Sequence, residues 1–170
     1  IQRALLNDDH ETGVTFFKID QGLDTGEILK HYKYTIHDED DSLILQTKLS
    51  DLASNKLIEI LDDDISSLTY QLQDESLVSY AKKIKKEEAV INWNENCRTI
   101  FCKIRALVGW PVAETVLFGE RLKIWKSSYI ENKDEKIMSD AATNGNRTFH
   151  SNPGSIVNFT PDALSLAAID

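Results

Sequence analysis

Two aspartates four positions apart, Asp20 and Asp24, lie in the run Ile19-Asp-Gln-Gly-Leu-Asp-Thr-Gly-Glu-Ile-Leu29. Acids beside glycines suit two jobs: bonding a turn's backbone, or holding a carboxylate in the open where it can move a proton. The residues alone leave both open for Asp24, while Asp20 reads as a structural or pocket-lining residue. Four histidines (His10, His31, His37, His150) and two cysteines (Cys97, Cys102) are too scattered for ligand spacing, so no metal site is expected. Charge is the remaining chemical feature. Residues 79–126 hold ten Lys+Arg against five acids, whereas residues 1–78 hold six against 17, in a chain of net charge −9. Lys82, Lys83, Lys85 and Lys86 head the basic block, which suits an anionic partner such as a phosphate backbone; a solvated lysine linker is the plain alternative.

The elements that must position these groups follow from periodicity. Residues 1–6 read as the end of a helix. Val14–Ile19 and Ile28–Ile36 read as strands flanking the aspartate loop, where Gly22 and Gly26 would let the chain pass a flat ligand and Thr15 and Thr25 could bond its backbone. Acidic residues 38–41 and Ser42 precede an apolar stripe of 3.6-residue period, from Leu43 to Leu61, as in a helix with a negative first turn. From Asp62 to Trp93 periodicity fades, which predicts a linker and a domain boundary. Asn94-Glu-Asn96 offers caps for a helix whose stripe runs from Cys97 to Val108 and stops at Gly109 and Pro111. A hairpin is then expected, with strands 113–118 and 122–130 about a turn at Gly119-Glu120. Residues 131–153 read as a long loop with a turn at Asn144-Gly145, and two strands, 155–159 and 163–169, follow Pro153-Gly154. Trp93, Trp110 and Trp125 are expected as core or domain-contact aromatics.

The 170 residues suffice for one ordinary domain, or for a small one joined to part of another. With 41% hydrophobic and 28% charged residues the chain reads as globular and soluble, and no run has the length of a membrane helix. No signal peptide is visible. Cys97 and Cys102, five apart in a helical pattern, should be free and largely buried, which fits a reducing compartment. The sequons at Asn146 and Asn158 need no glycan.

Several stretches resemble one family. Glu11-Thr-Gly-Val-Thr15 followed by Asp20-x-Gly-Leu-Asp-Thr-Gly26 is similar to the end of the catalytic domain of folate-dependent formyltransferases, and Ile1-Gln-Arg-Ala4 to the helix before it. Tyr80-Ala-Lys-Lys-Ile-Lys-Lys-Glu-Glu-Ala89, Ile91-Asn-Trp93, Ile104-Arg-Ala-Leu107, Trp110-Pro111 and Leu122-Lys-Ile-Trp-Lys126 resemble the linker and C-terminal domain of the methionyl-tRNA formyltransferase branch. Pro153-Gly154-Ser155-Ile156 also fits, residues 131–152 do not, and the chain departs from the pattern at Asn92 and at Val108-Gly109.

The resemblance implies an α/β fold in three parts. Residues 1–64 would be the C-terminal part of a Rossmann-like catalytic domain, 65–90 a basic linker, and 91–170 a truncated open β-barrel of OB-like type that binds tRNA. It implies an enzyme that moves a formyl group from 10-formyltetrahydrofolate to the α-amino group of methionyl initiator tRNA. Asp24 would be catalytic; Asp20, Gln21, Gly22 and Leu23 would line the folate pocket; Lys82, Lys83, Lys85 and Lys86 would contact RNA. The family's upstream Asn-x-His motif is not among these residues, so the chain is expected to be a fragment, inactive alone, from a monomer of bacterial cytoplasm or organellar matrix. A formyltransferase acting on a sugar nucleotide, a related folate hydrolase and a non-catalytic RNA-binding module are the alternatives.

Overall fold

The structure is a computed structural model that describes residues 1–62, 68–129, 152–154, 156–160, 163–166 and 168. Two compact units divide it, Ile1–Ile84 and Lys85–Asp170. No helix of the described residues is long and apolar enough to cross a membrane.

The first unit opens with a short helix α1, Gln2–Leu6, and continues into β1, Glu11–Phe17, and β2, Ile28–Thr35. β1 and β2 pair antiparallel from Glu11↔Thr35 to Phe16↔Lys30, then slip by one residue so that Phe17 faces Ile28. β1 exposes alternate side chains, as a strand covered on one face does. Phe16 and Tyr32 meet edge to face at 6.1 Å on the covered side. The cover is α2, Ser42–Asp62, which packs on β1. Lys56 and Lys48 reach over the rings of Tyr32 and Tyr34.

The start of α2 explains the acidic run before it. Asp41 is the cap: its Oδ1 accepts from the amides of Leu43 and Ile44 at 2.9 and 2.8 Å. Asp40 is fully buried. It accepts from Lys48 Nζ at 2.6 Å, the His37 amide at 2.9 Å and the Tyr34 hydroxyl at 3.1 Å. The first helical turn itself carries no acid, so the predicted negative turn is in fact a cap and a buried anchor. Leu45, Leu49 and Ile60 are buried, but Leu43, Ile44, Leu57 and Leu61 of the same stripe are exposed, because a two-stranded sheet covers less than the stripe's width.

Beyond α2 the polypeptide is more ordered than its composition predicts. Gln71 exchanges both backbone hydrogen bonds with Ile28 at 2.8 Å, and Asp74 caps a 3-10 turn at Glu75–Leu77 through the amide and hydroxyl of Ser76. Those two bonds from Ser76 hold the Asp74 carboxyl below its ordinary value. Residues 63–67 of the expected linker lie outside the described residues.

The second unit begins with a 3-10 turn, Lys86–Ala89, and is built around α3, Cys97–Ala106, capped by Asn96, whose side chain accepts from the Thr99 amide at 2.8 Å. Ile91, Ile100, Ile104 and Ala113 form its core, with Trp93, Ile124 and Ala168 packed on it. Trp93 Nε1 donates to Thr115 Oγ1 at 2.9 Å. Trp110 and Trp125 are more than half exposed, unlike core aromatics. β3, Ala113–Leu117, and β4, Glu120–Ile124, form the hairpin, turning at Phe118-Gly119 rather than Gly119-Glu120. Both turn residues have positive φ, 51° and 83°, as a two-residue primed turn requires. β4 stops six residues short of the expected strand end. β5, Ile156–Thr160, and β6, Ala163–Leu166, pair antiparallel. Up to residue 151 the long loop, with Asn144-Gly145 and the first sequon, lies outside the described residues. Cys97 and Cys102 form no disulfide among the described residues; Cys102 is buried and Cys97 half-buried.

Candidate functional site

The aspartate loop leaves β1 at the register slip and returns to β2, closed at its base by the Lys18 amide on the Glu27 carbonyl at 3.0 Å and by the Lys18–Glu27 ion pair at 3.0 Å. Inside it the two aspartates have different jobs. Asp20 Oδ1 accepts from the Gly22 amide at 2.9 Å and from the Thr25 hydroxyl at 2.6 Å, so this carboxylate is occupied in shaping the loop. Asp24 takes the left-handed conformation, φ 57°, one that aspartate tolerates better than most residues with a side chain. It is exposed, as are Gln21, Gly22 and Leu23, and Leu23 and Ile19 stand 90% and 96% exposed beside it. The loop therefore offers a carboxylate, exposed backbone and two apolar side chains on one short stretch.

The glycines are needed for closure of the loop itself. A Cβ on Gly26 would run into the Lys18 carbonyl, and one on Gly22 into the Thr25 side chain. The loop's positive φ falls on Asp24, not on either glycine. Thr25 bonds a carboxylate instead of the backbone, and Thr15 lies in β1 opposite His31.

One tie to the loop had no sequence signal. Gln73 Nε2 donates to the carbonyls of Asp24 at 2.9 Å and Gly26 at 2.7 Å. Nothing in its local sequence, a polar residue in a stretch without periodicity, distinguishes it. A separate open depression of about 350 Å³ is lined by residues 28–32 of β2 and 69–71; it includes no member of the aspartate loop.

In the basic block the structure separates cations that face solvent from those used internally. Lys82, Lys83, Lys85 and Lys86 are all exposed. The backbone under the first two is held by Arg3, whose Nε and terminal nitrogen donate to the Lys82 and Lys83 carbonyls at 2.8 and 3.2 Å. Arg105 is buried with its guanidinium 5.2 Å from the Phe101 ring. Arg98 donates to the Tyr129 hydroxyl at 2.8 Å, and Lys103 pairs with Glu95 at 3.4 Å. These three belong to the packing of the second unit, so counting charges overstated the cations available to a phosphate backbone. Arg121, Lys123 and Lys126 remain exposed.

Comparison with known proteins covers both units. Residues 1–61 match the family profile described as formyl transferase, and residues 83–169 match that of the formyl transferase C-terminal domain. A methionyl-tRNA formyltransferase from Methylococcus capsulatus is 41% identical over 132 residues, 77% of this chain and 43% of that protein. Among solved structures, the methionyl-tRNA formyltransferase from Clostridium thermocellum aligns with a TM-score of 0.61 at 21% identity, over 78% of this chain and 57% of that one. HypX from Aquifex aeolicus in complex with tetrahydrofolic acid aligns with a TM-score of 0.63 at 15% identity, over 98% of this chain and 27% of that one. At these identities the two structures show a shared fold. The chain spans less than half the length of the curated relatives it matches. With the C-terminal profile alone matching over half of its residues, this chain belongs to the formyl transferase family.

Proposed function

We propose that this chain is part of an enzyme that transfers the formyl group of 10-formyltetrahydrofolate to the α-amino group of methionyl initiator tRNA, with Asp24 as its catalytic carboxylate. The observation that carries the reading is the loop itself: it displays the family's Asp-x-Gly-Leu-Asp-Thr-Gly run with Asp20 consumed internally and Asp24 left facing solvent. In the transfer the amine nitrogen bonds to the formyl carbon, the bond from that carbon to the folate nitrogen breaks, and the amine's proton must leave. A carboxylate held clear of internal partners suits that proton, and the oxyanion formed on the way needs donors nearby.

The residues fit the folate. Exposed backbone at Asp20, Gln21, Gly22 and Leu23 can bond a pterin edge, and the exposed Leu23 and Ile19 side chains offer apolar area to its ring. Lys82, Lys83, Lys85 and Lys86 would hold RNA phosphates, a role their exposure permits and the Arg3 contacts to the backbone prepare. Residues 1–64 then form the latter part of a Rossmann-like catalytic domain, 65–90 a basic linker and 91–170 an open barrel of OB-like type, for which the antiparallel hairpins β3–β4 and β5–β6 are the support. We place the protein as a monomer in bacterial cytoplasm or an organellar matrix.

The test is formylation of methionyl-tRNA from 10-formyltetrahydrofolate by the product of the complete gene, wild type against Asp24→Asn. Loss of turnover with tRNA binding intact supports the assignment; equal turnover reduces Asp24 to a turn residue. Turnover on an amino-sugar nucleotide and none on methionyl-tRNA overturns the substrate.

A further inference from the structure

The Asp24 loop is held in two halves by two different devices. Asp20 closes its first half through Gly22 and Thr25. Its second half is held from outside, by Gln73, a residue 49 positions beyond Asp24. Both partners of Gln73 are carbonyl oxygens, so only the NH2 end of its amide can face them, and the assignment of nitrogen and oxygen is settled by chemistry. One planar group bonded to the carbonyls of residues 24 and 26 brackets the backbone between them and fixes its tilt. Asp24 needs such a brace, because its left-handed conformation is one that a residue with a side chain leaves readily when nothing holds it.

Gln73 is itself anchored on both sides. Two residues before it, Gln71 exchanges both backbone bonds with Ile28, at the start of the strand that receives the loop. Immediately after it, Asp74 caps the 3-10 turn at Glu75–Leu77. The side chain is therefore aimed by fixed backbone at the loop it bonds.

We propose that Gln73 is a positioning residue for formyl transfer: it touches no substrate, and it sets the backbone of Asp24 so that the carboxylate meets the reacting nitrogen. The proposal rests on the formyl-transfer reading of Asp24. It predicts that the acceptor side of the loop rejects a side chain of the same size but opposite polarity. An ionised carboxylate at this position would set oxygen against two carbonyl oxygens, whereas a protonated one could donate a single bond.

The experiment compares wild type, Gln73→Met, Gln73→Glu and Asp24→Asn in the complete gene product. It reads kcat, KM for methionyl-tRNA, the pH dependence of kcat, and hydrogen exchange of the amides in residues 22–26. Q73M should lower kcat on the order of 10²-fold, the scale expected when a reacting group is displaced by about 1 Å. KM for methionyl-tRNA should stay within about twofold, since uniform binding is untouched. Q73E should be slower still at neutral pH, and the ratio of Q73E to Q73M rates should rise as pH falls and the introduced carboxyl gains a proton. Exchange in residues 22–26 should speed up in both variants while that of α3 stays at wild-type rates. The proposal is overturned if Asp24→Asn is inactive yet both Gln73 variants keep kcat within about threefold of wild type, or if the rate ratio is flat with pH. An active Asp24→Asn enzyme overturns the reading of Asp24 itself, and the proposal with it.

Discussion

Replacing Asp40 with alanine should destabilise the first unit by about 3 kcal/mol. The carboxylate is fully buried and accepts from three donors, which lose their partner unequally. Lys48, 38% exposed, turns to water and adds little. The Tyr34 hydroxyl can rotate, but the His37 amide is fixed in the backbone and stays unpaired. Buried donors left without acceptors cost about 1–3 kcal/mol each, and the cavity adds to that, which gives the figure above. An effect of that size is roughly a hundredfold in the ratio of folded to unfolded molecules. The assay is urea unfolding followed by hydrogen exchange resolved by segment, because two units need not unfold as one. Residues 36–45 should lose protection first. The pH dependence gives a second check. Burial by itself would raise the Asp40 carboxyl, but the bonds from Lys48, the His37 amide and the Tyr34 hydroxyl outweigh it and hold it below the usual carboxylate value. A lowered folded value means that the stabilisation is present above the unfolded carboxyl's value and lost as pH falls through the folded one. The gap between Asp40→Ala and wild type should therefore narrow in acid. A loss under 1 kcal/mol at neutral pH, or a gap that persists unchanged in acid, would refute the reasoning.

Two further outcomes follow from the second unit and the basic segment. On the proposed function, changing Lys82, Lys83, Lys85 and Lys86 together to alanine should weaken RNA binding and flatten its dependence on log salt by roughly 0.7 to 0.9 for each phosphate no longer neutralised; an unchanged slope removes them from the proposed interface. Phe118→Asn should raise stability by about 0.5–1 kcal/mol, since an aromatic side chain 88% exposed at φ 51° gives way to a residue suited to that conformation; an unchanged or lower melting temperature refutes this.

Where the sequence could be read well, the physics was local. Asn96 caps α3 and the Cys97-to-Ala106 stripe turns its apolar side to the core, because caps and stripes are decided within a few residues. The two strands around the aspartate loop were legible for the same reason, to within three residues at their ends. The hairpin turn was misplaced by one residue because Phe118 carries no turn signal, and the ladder Leu117↔Glu120 imposes the positive φ upon it. Arg98 and Arg105 count toward the basic charge of residues 79–126, yet their helix carries them against aromatic rings.

By itself the sequence determined the chemistry on offer: which loop holds two carboxylates, which segment holds the lysines, and which runs form strands or helices. Tertiary structure decided how identical residue types divide the work. Asp38, Glu39, Asp40 and Asp41 are alike on paper, and only the packing around Lys48, Tyr34 and the head of α2 buries one of them and makes another a cap. Asp20 and Asp24 are separated in the same way, by which carboxylate the Gly22 amide and the Thr25 hydroxyl reach. Gln73 is visible only in three dimensions, because a hydrogen bond across 49 residues depends on where the backbone returns, and no local pattern encodes that.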